Sequence, residues 1–139
     1  MRNRVIRAAG ALLLAGIALP AAAAETFVTG IYMRSEELCA TAKKSGVEAV
    51  LEAGEVLLTE RGFEAYEYNC EFLAITPATR APGWVVTALC QEPGYAFPDV
   101  LSVIRMNDTQ IDIASVREVT ESDPGNSGSY FLCEGIAMP

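Results

Sequence analysis

Beyond residue 54 the chain is built of short apolar or alternating runs broken by Gly, Pro, Asn and Asp, at the intervals of about 8 to 12 residues expected of β-sandwiches and barrels. The pattern predicts strands near residues 27–33, 55–59, 63–68, 70–76, 84–91, 100–106, 110–116 and 129–133. Arg61-Gly62, Thr76-Pro77, Ala81-Pro82-Gly83, Glu92-Pro93-Gly94, Asn107-Asp108 and Asp123-Pro124-Gly125-Asn126 supply the turns, because these residues tolerate positive φ or fix φ for a bend. Around Asn107-Asp108 a hairpin places Leu101 and Val103 on the face of Ile111 and Ile113, leaving Arg105 and Asp112 for the rim.

One helical pattern follows the first predicted strand. Ser35 reads as an N-cap, Glu36 and Glu37 suit the positive helix start, Lys43 and Lys44 suit the negative end, and Gly46 marks the stop. The spacing predicts a helix over 36–45, whose apolar face carries Leu38, Ala42 and Cys39. Residues 48–54 fit a helical turn or a strand, and the pattern leaves that open. Seven or eight strands in one open sheet would leave two exposed edges, which closure removes. The expected fold is therefore mainly β, with a minor α contribution. It is a small up-and-down β-barrel or strongly curled antiparallel sheet, with one short N-terminal helix and disulfide staples. The first strand would pair with the last and bring Cys133 near the start of the helix.

The first residues change the picture. Arg2, Arg4 and Arg7, then an apolar run over 8–19, then Pro20 and Ala21 to Ala24, form the pattern of an export signal with its cleavage site. Residues 1–24 are read as a signal peptide and 25–139 as one exported β-rich domain, periplasmic or secreted. An apolar run of 12 residues is too short to span about 30 Å as a helix, and no later stretch is long enough and free of charge, so no transmembrane span is expected.

In that setting the four cysteines, Cys39, Cys70, Cys90 and Cys133, read as two disulfides. Their order along the predicted elements suggests Cys39 with Cys70 and Cys90 with Cys133. The rival pairing has a geometric case: a hairpin centred on Arg80 sets Cys70 opposite Cys90 and leaves Cys39 for Cys133. No two cysteines lie within the two to four residues usual in structural zinc sites, and no Cys-x-x-Cys occurs.

Charge narrows the partners. After residue 24, seven basic residues face eighteen acids, a net −11. Such a surface repels nucleic acid and anionic lipid and favours a cationic protein partner. With no histidine in the chain, Ser-His-Asp triads, Cys-His pairs and imidazole ligands are absent. Glu64, Glu67 and Glu71 near Tyr66 and Tyr68 are the remaining acid-base candidates, weighed against a solvated strand face. Trp84 reads as core or barrel plug. The segment 92–99, with two prolines and a glycine, reads as a pre-set loop, and its Tyr95, Phe97 and Asp99 are the candidate contact surface. The oxygen-rich stretch 121–129 lacks the acids and the terminal glutamate of a twelve-residue calcium loop, so a turn is the simpler reading. No cofactor, metal or catalytic residue is assigned.

Gly30-Ile31-Tyr32, Cys39 in a short helix, Tyr68-Asn69-Cys70-Glu71-Phe72, the strand from Gly83-Trp84 to Cys90, and Tyr130 to Cys133 together resemble small exported four-cysteine proteins of Gram-negative bacteria. The likeness spans 27–133 and implies compartment and fold; the group has no assigned activity. Ser127-Gly128-Ser129-Tyr130 also resembles the Ser-Gly-x-x-Tyr signature of bacterial lysozyme inhibitors, but it is one residue short and the Lys-Gly motif is missing. Three expectations for function follow. The leading one is a non-enzymatic binding or inhibitor-like module; the others are a carboxylate-based hydrolase of envelope glycans and a structural envelope protein.

Overall fold

Eight antiparallel strands close on themselves in the computed structural model, which describes residues 27–117, 120 and 125–138. The export signal read over 1–24 and the turn residues 121–124 lie outside the described residues. In chain order the elements are β1 (Tyr32–Met33), α1 (Glu36–Ser45), α2 (Val47–Glu52), β2 (Leu57–Thr59), β3 (Gly62–Glu64), β4 (Asn69–Pro77), β5 (Gly83–Glu92), β6 (Tyr95–Asn107), β7 (Gln110–Ser115) and β8 (Gly128–Leu132). Each strand pairs with its neighbours in sequence, and β1 closes the barrel by pairing Tyr32 with both Leu58 and Leu132. The expected up-and-down barrel is therefore the observed one, and closure satisfies the edges that an open sheet would expose.

Alternation along each strand decides what faces inward. On β5, Trp84, Val86, Ala88 and Cys90 are buried, while Val85 and Thr87 between them are exposed. Leu101 and Val103 of β6 join Ile111 and Ile113 of β7 in the same core, as the hairpin pattern predicts. The first strand is shorter than the expected 27–33. Phe27 and Val28 lie outside the ladder yet are fully buried, because the Phe27 ring closes one barrel end between Phe72 and Trp84, at 5.8 and 5.5 Å between centroids. Trp84 is core, with the Arg105 guanidinium over its ring at 5.1 Å.

Helix α1 has the expected bounds. The Ser35 side chain accepts a hydrogen bond from the Leu38 N–H at 3.2 Å, and Gly46 (φ 89°) returns its N–H to the Ala42 carbonyl. The open stretch 48–54 resolves mostly into α2. Both helices pack outside the barrel, where Cys39, Ala42, Val47 and Val50 cover Ile31, Met33 and Leu57 in a second, smaller core.

The disulfides are Cys39–Cys133 and Cys70–Cys90, not Cys39–Cys70 and Cys90–Cys133. Register is the reason: Cys70 and Cys90 are direct partners across β4 and β5, and closure of β1 on β8 carries Cys133, whose N–H bonds the Ile31 carbonyl, to α1. Segment 92–99 is not a long loop. Strand β5 runs to Glu92, Pro93-Gly94 (φ 94°) makes a two-residue turn, and β6 starts at Tyr95. Pro98 is tolerated inside β6 because it lies beyond the last β7 bond, Val116 N–H to the Val100 carbonyl, so the strand there has only β5 beside it.

The predicted third strand ends at Glu64 instead of 68, where Ala65 N–H bonds the Tyr68 carbonyl at 2.7 Å and turns the chain back. Gly62 (φ 138°) lets β4 pass close beside the start of β3, since a Cβ there would meet the Cys70 carbonyl oxygen at 1.7 Å.

Candidate functional site

At the barrel end opposite Phe27, the β3–β4 turn, the β5–β6 turn, the end of β7, residues 125–126 and the end of α2 surround an open cavity of about 700 Å³. The three residues predicted as a contact surface lie together here, but on a strand. Tyr95, Phe97 and Asp99 alternate along β6 and descend one wall from lip to floor: Tyr95 is 54% exposed, Phe97 is half-buried and Asp99 is 1% exposed. Asp99 is thus a floor residue and not part of an outer surface, because every second residue of a strand faces the barrel interior.

The floor is a hydrogen-bonded network. The Asp99 carboxylate accepts from the Val100 N–H at 2.8 Å, from Ser115 Oγ at 2.7 and 2.9 Å to its two oxygens, and from Asn126 Nδ2 at 2.9 Å. Asn126 is 2% exposed and uses its other end too, its Oδ1 accepting from the Tyr68 hydroxyl at 2.8 Å. The Cys70–Cys90 disulfide lies directly beneath, 3.4 and 3.7 Å from Asn126 Nδ2 and 2.9 Å from the Tyr68 hydroxyl. Such donors satisfy the oxygens of a carboxylate held out of water.

Arg34 positions this network from the side. Its guanidinium donates to the Ser127 carbonyl at 2.9 Å and to the Gly125 carbonyl, and it lies over the Tyr130 ring at 5.0 Å. The chain on both sides of Asn126 is held in this way. Tyr130 in turn donates to the Asn126 carbonyl at 3.1 Å.

The walls are aromatic. Tyr68 stacks on Phe97 at 6.5 Å, Tyr95 tilts against Phe97 at 5.5 Å, and the Arg117 guanidinium stands 3.7 Å from the Phe97 centroid. Tyr66 stands at the lip, 78% exposed. Among the described residues, Glu52, Glu67, Glu92 and Asp99 supply four carboxylates to the lining, against the one guanidinium of Arg117. The three acid-base candidates are not brought together. Only Glu67 lines the cavity, while Glu64 pairs with Arg61 at 3.0 Å and Glu71 is exposed on the outer wall of β4.

Sequence reasoning missed Ser115, Arg117 and Asn126. For the first two a signal existed: the inward register of Ile111 and Ile113, continued at every second residue, reaches Ser115 and Arg117. Asn126 reads locally as a turn residue, and nothing nearby announces its partners 27 and 58 residues away. Of the calcium-loop candidate 121–129, residues 121–124 lie outside the described residues. Among the described residues no group of three or more acids and cysteines is arranged to hold a metal ion. Also among the described residues, no helix is long and apolar enough to cross a membrane.

Burial raises the Tyr68 pKa to about 12, the hydrogen bond to Asn126 opposing the shift, and burial also raises that of Tyr130. The unfolded chain therefore ionises its tyrosines first, near pH 10, while the folded chain keeps these protons. Stability from this source is intact below about pH 10 and declines as pH rises toward 12. Phenolate absorbance titrated alongside circular dichroism should show an exposed class ionising with the fold intact, then a late class ionising as it is lost; a single class near pH 10 would contradict the buried network.

No family model, curated protein or solved structure matches this chain.

Proposed function

We propose that the protein is an exported, non-enzymatic binding module whose barrel mouth takes a cationic protein partner. The observation that carries this reading is the lining: among the described residues, four carboxylates and one guanidinium around aromatic walls, in a cavity of about 700 Å³. Ligand sites are commonly concave and apolar with a few placed polar groups, and the mouths of barrels are among their usual positions. Aromatic faces and carboxylates are the two groups that attract a cation with an apolar stem. A net −11 after residue 24 adds long-range attraction for the same class of partner. Two disulfides and the amino-terminal pattern of residues 1–24 support an oxidising compartment, the periplasm or the exterior.

The protein from residue 25, immobilised at low ionic strength, should retain basic proteins from an envelope extract and release them as salt rises. Glu67→Gln with Glu92→Gln should weaken that retention several-fold while the unfolding midpoint stays unchanged, because both side chains are exposed. Retention that ignores both salt and the two substitutions would refute the mouth as the contact.

A further inference from the structure

The place occupied by Arg117 points to the kind of cation the mouth takes, an inference that rests on the reading of the mouth as a cation site. At 3.7 Å from the Phe97 centroid, Arg117 lies at contact distance over a ring face, the arrangement in which a planar guanidinium is attracted most strongly. Glu92 and Tyr95 are direct partners across β5 and β6, and both line the mouth together with Arg117, so the three residues share the lip. A guanidinium here lies on a ring face, with a phenol and a carboxylate as neighbours at the same lip, and it has the flat shape and five donors to turn toward them while stacked.

Arg117 itself is exposed and lies past the last residue of β7, tied to the barrel by its backbone N–H to Ser115 Oγ at 3.0 Å. Its side chain can leave for water at small cost. We propose that this seat recognises the guanidinium of an arginine side chain presented by the partner, and that Arg117 is a built-in occupant which the incoming arginine displaces. The exchange is one cation for one cation, so Phe97 keeps a guanidinium on its face. A partner lysine ranks lower, because its compact ammonium cannot stack flat or reach several acceptors together. While Arg117 holds the seat, the apparent affinity is reduced by the fraction of molecules in which the seat is free.

The test is a calorimetric titration at low salt with a blocked tri-arginine peptide, beside the same peptide made with lysine and with citrulline, the neutral isostere of arginine. Wild type should bind the arginine peptide weakly, Arg117→Ala should bind it about three- to tenfold tighter, and citrulline should not bind. Phe97→Leu added to Arg117→Ala should remove the gain, with circular dichroism verifying the fold of each variant. If Arg117→Ala binds equally or more weakly while wild type binds, the occupant role is overturned and the cation-binding mouth stands. If the citrulline peptide binds as well as arginine, charge recognition at the seat is overturned. If no variant binds the arginine peptide, both the seat and the mouth reading fall.

Discussion

Replacing Cys39 and Cys133 together by alanine is expected to be the most destabilising change in the barrel's covalent frame. The bond closes 94 residues, against 20 for Cys70–Cys90, and in the chain-entropy model these loops contribute about 4.7 and about 3 kcal/mol. The difference has a structural side as well. Helix α1 buries only Cys39 and Ala42, too little apolar surface to hold ten residues on the barrel wall without the crosslink. The Cys39→Ala, Cys133→Ala variant should lose about 4 to 5 kcal/mol in urea unfolding, with its midpoint temperature down by about 15 °C or more. Amide exchange should show α1 and α2 losing protection before β5 and β6. A larger loss from Cys70→Ala with Cys90→Ala would show that packing beneath the mouth outweighs loop closure.

Asn126→Ala should cost about 3 kcal/mol, a large effect for one side chain near a barrel end. It removes the donor to the Asp99 carboxylate and the acceptor of the Tyr68 hydroxyl in one step, and it leaves a carboxylate that is 1% exposed short of a partner. Asn126→Asp separates size from hydrogen bonding. It sets a second carboxylate where Nδ2 stands 2.9 Å from Asp99, so two like charges meet out of water unless they share a proton. The aspartate variant should be much less stable than wild type at pH 7 and should recover part of that loss as pH is lowered and the two carboxylates come to share a proton. An alanine variant within about 0.5 kcal/mol of wild type, or an aspartate variant indifferent to pH, would contradict the network as the organiser of the floor.

The network also explains why the mouth can be open without disorder in its floor. Asp99, Ser115, Asn126 and Tyr68 come from β6, β7, the approach to β8 and the β3–β4 turn, so each bond ties two barrel elements at the end where strand pairing stops. Arg34, just after β1, completes the ring by gripping the carbonyls on either side of Asn126. Recognition groups such as Phe97 and Glu92 then stand on a scaffold whose positions are already set, which lowers the ordering cost of binding.

Local signals were legible wherever neighbours in sequence decide the outcome. Ser35, the acids and lysines of α1 and Gly46 specify a helix within ten residues. The alternation around Asn107-Asp108 specifies both the hairpin and its buried face. Turn chemistry misled at 92–99, because two prolines and a glycine read as a loop when only Pro93 and Gly94 turn and Pro98 rests on a stretch with a single neighbouring strand. Tyr95 and Phe97 were legible as a contact candidate by their residue types, whereas the burial of Asp99 was not.

From sequence alone came the β character, the bounds of α1, the turns at Pro93-Gly94 and Asn107-Asp108, the acidic balance and the absence of histidine chemistry, all properties of composition or of windows a few residues wide. Thr76-Pro77 is not a turn, since both residues end β4. Tertiary structure alone chose between the two cysteine pairings, drew Asp99 to the floor and set Arg117 on Phe97. Those outcomes depend on strand register and on closure of β1 against β8, which join residues 20 to 100 positions apart. The cost and reward of such long-range contacts are settled by the packed barrel as a whole, not by any segment of the chain.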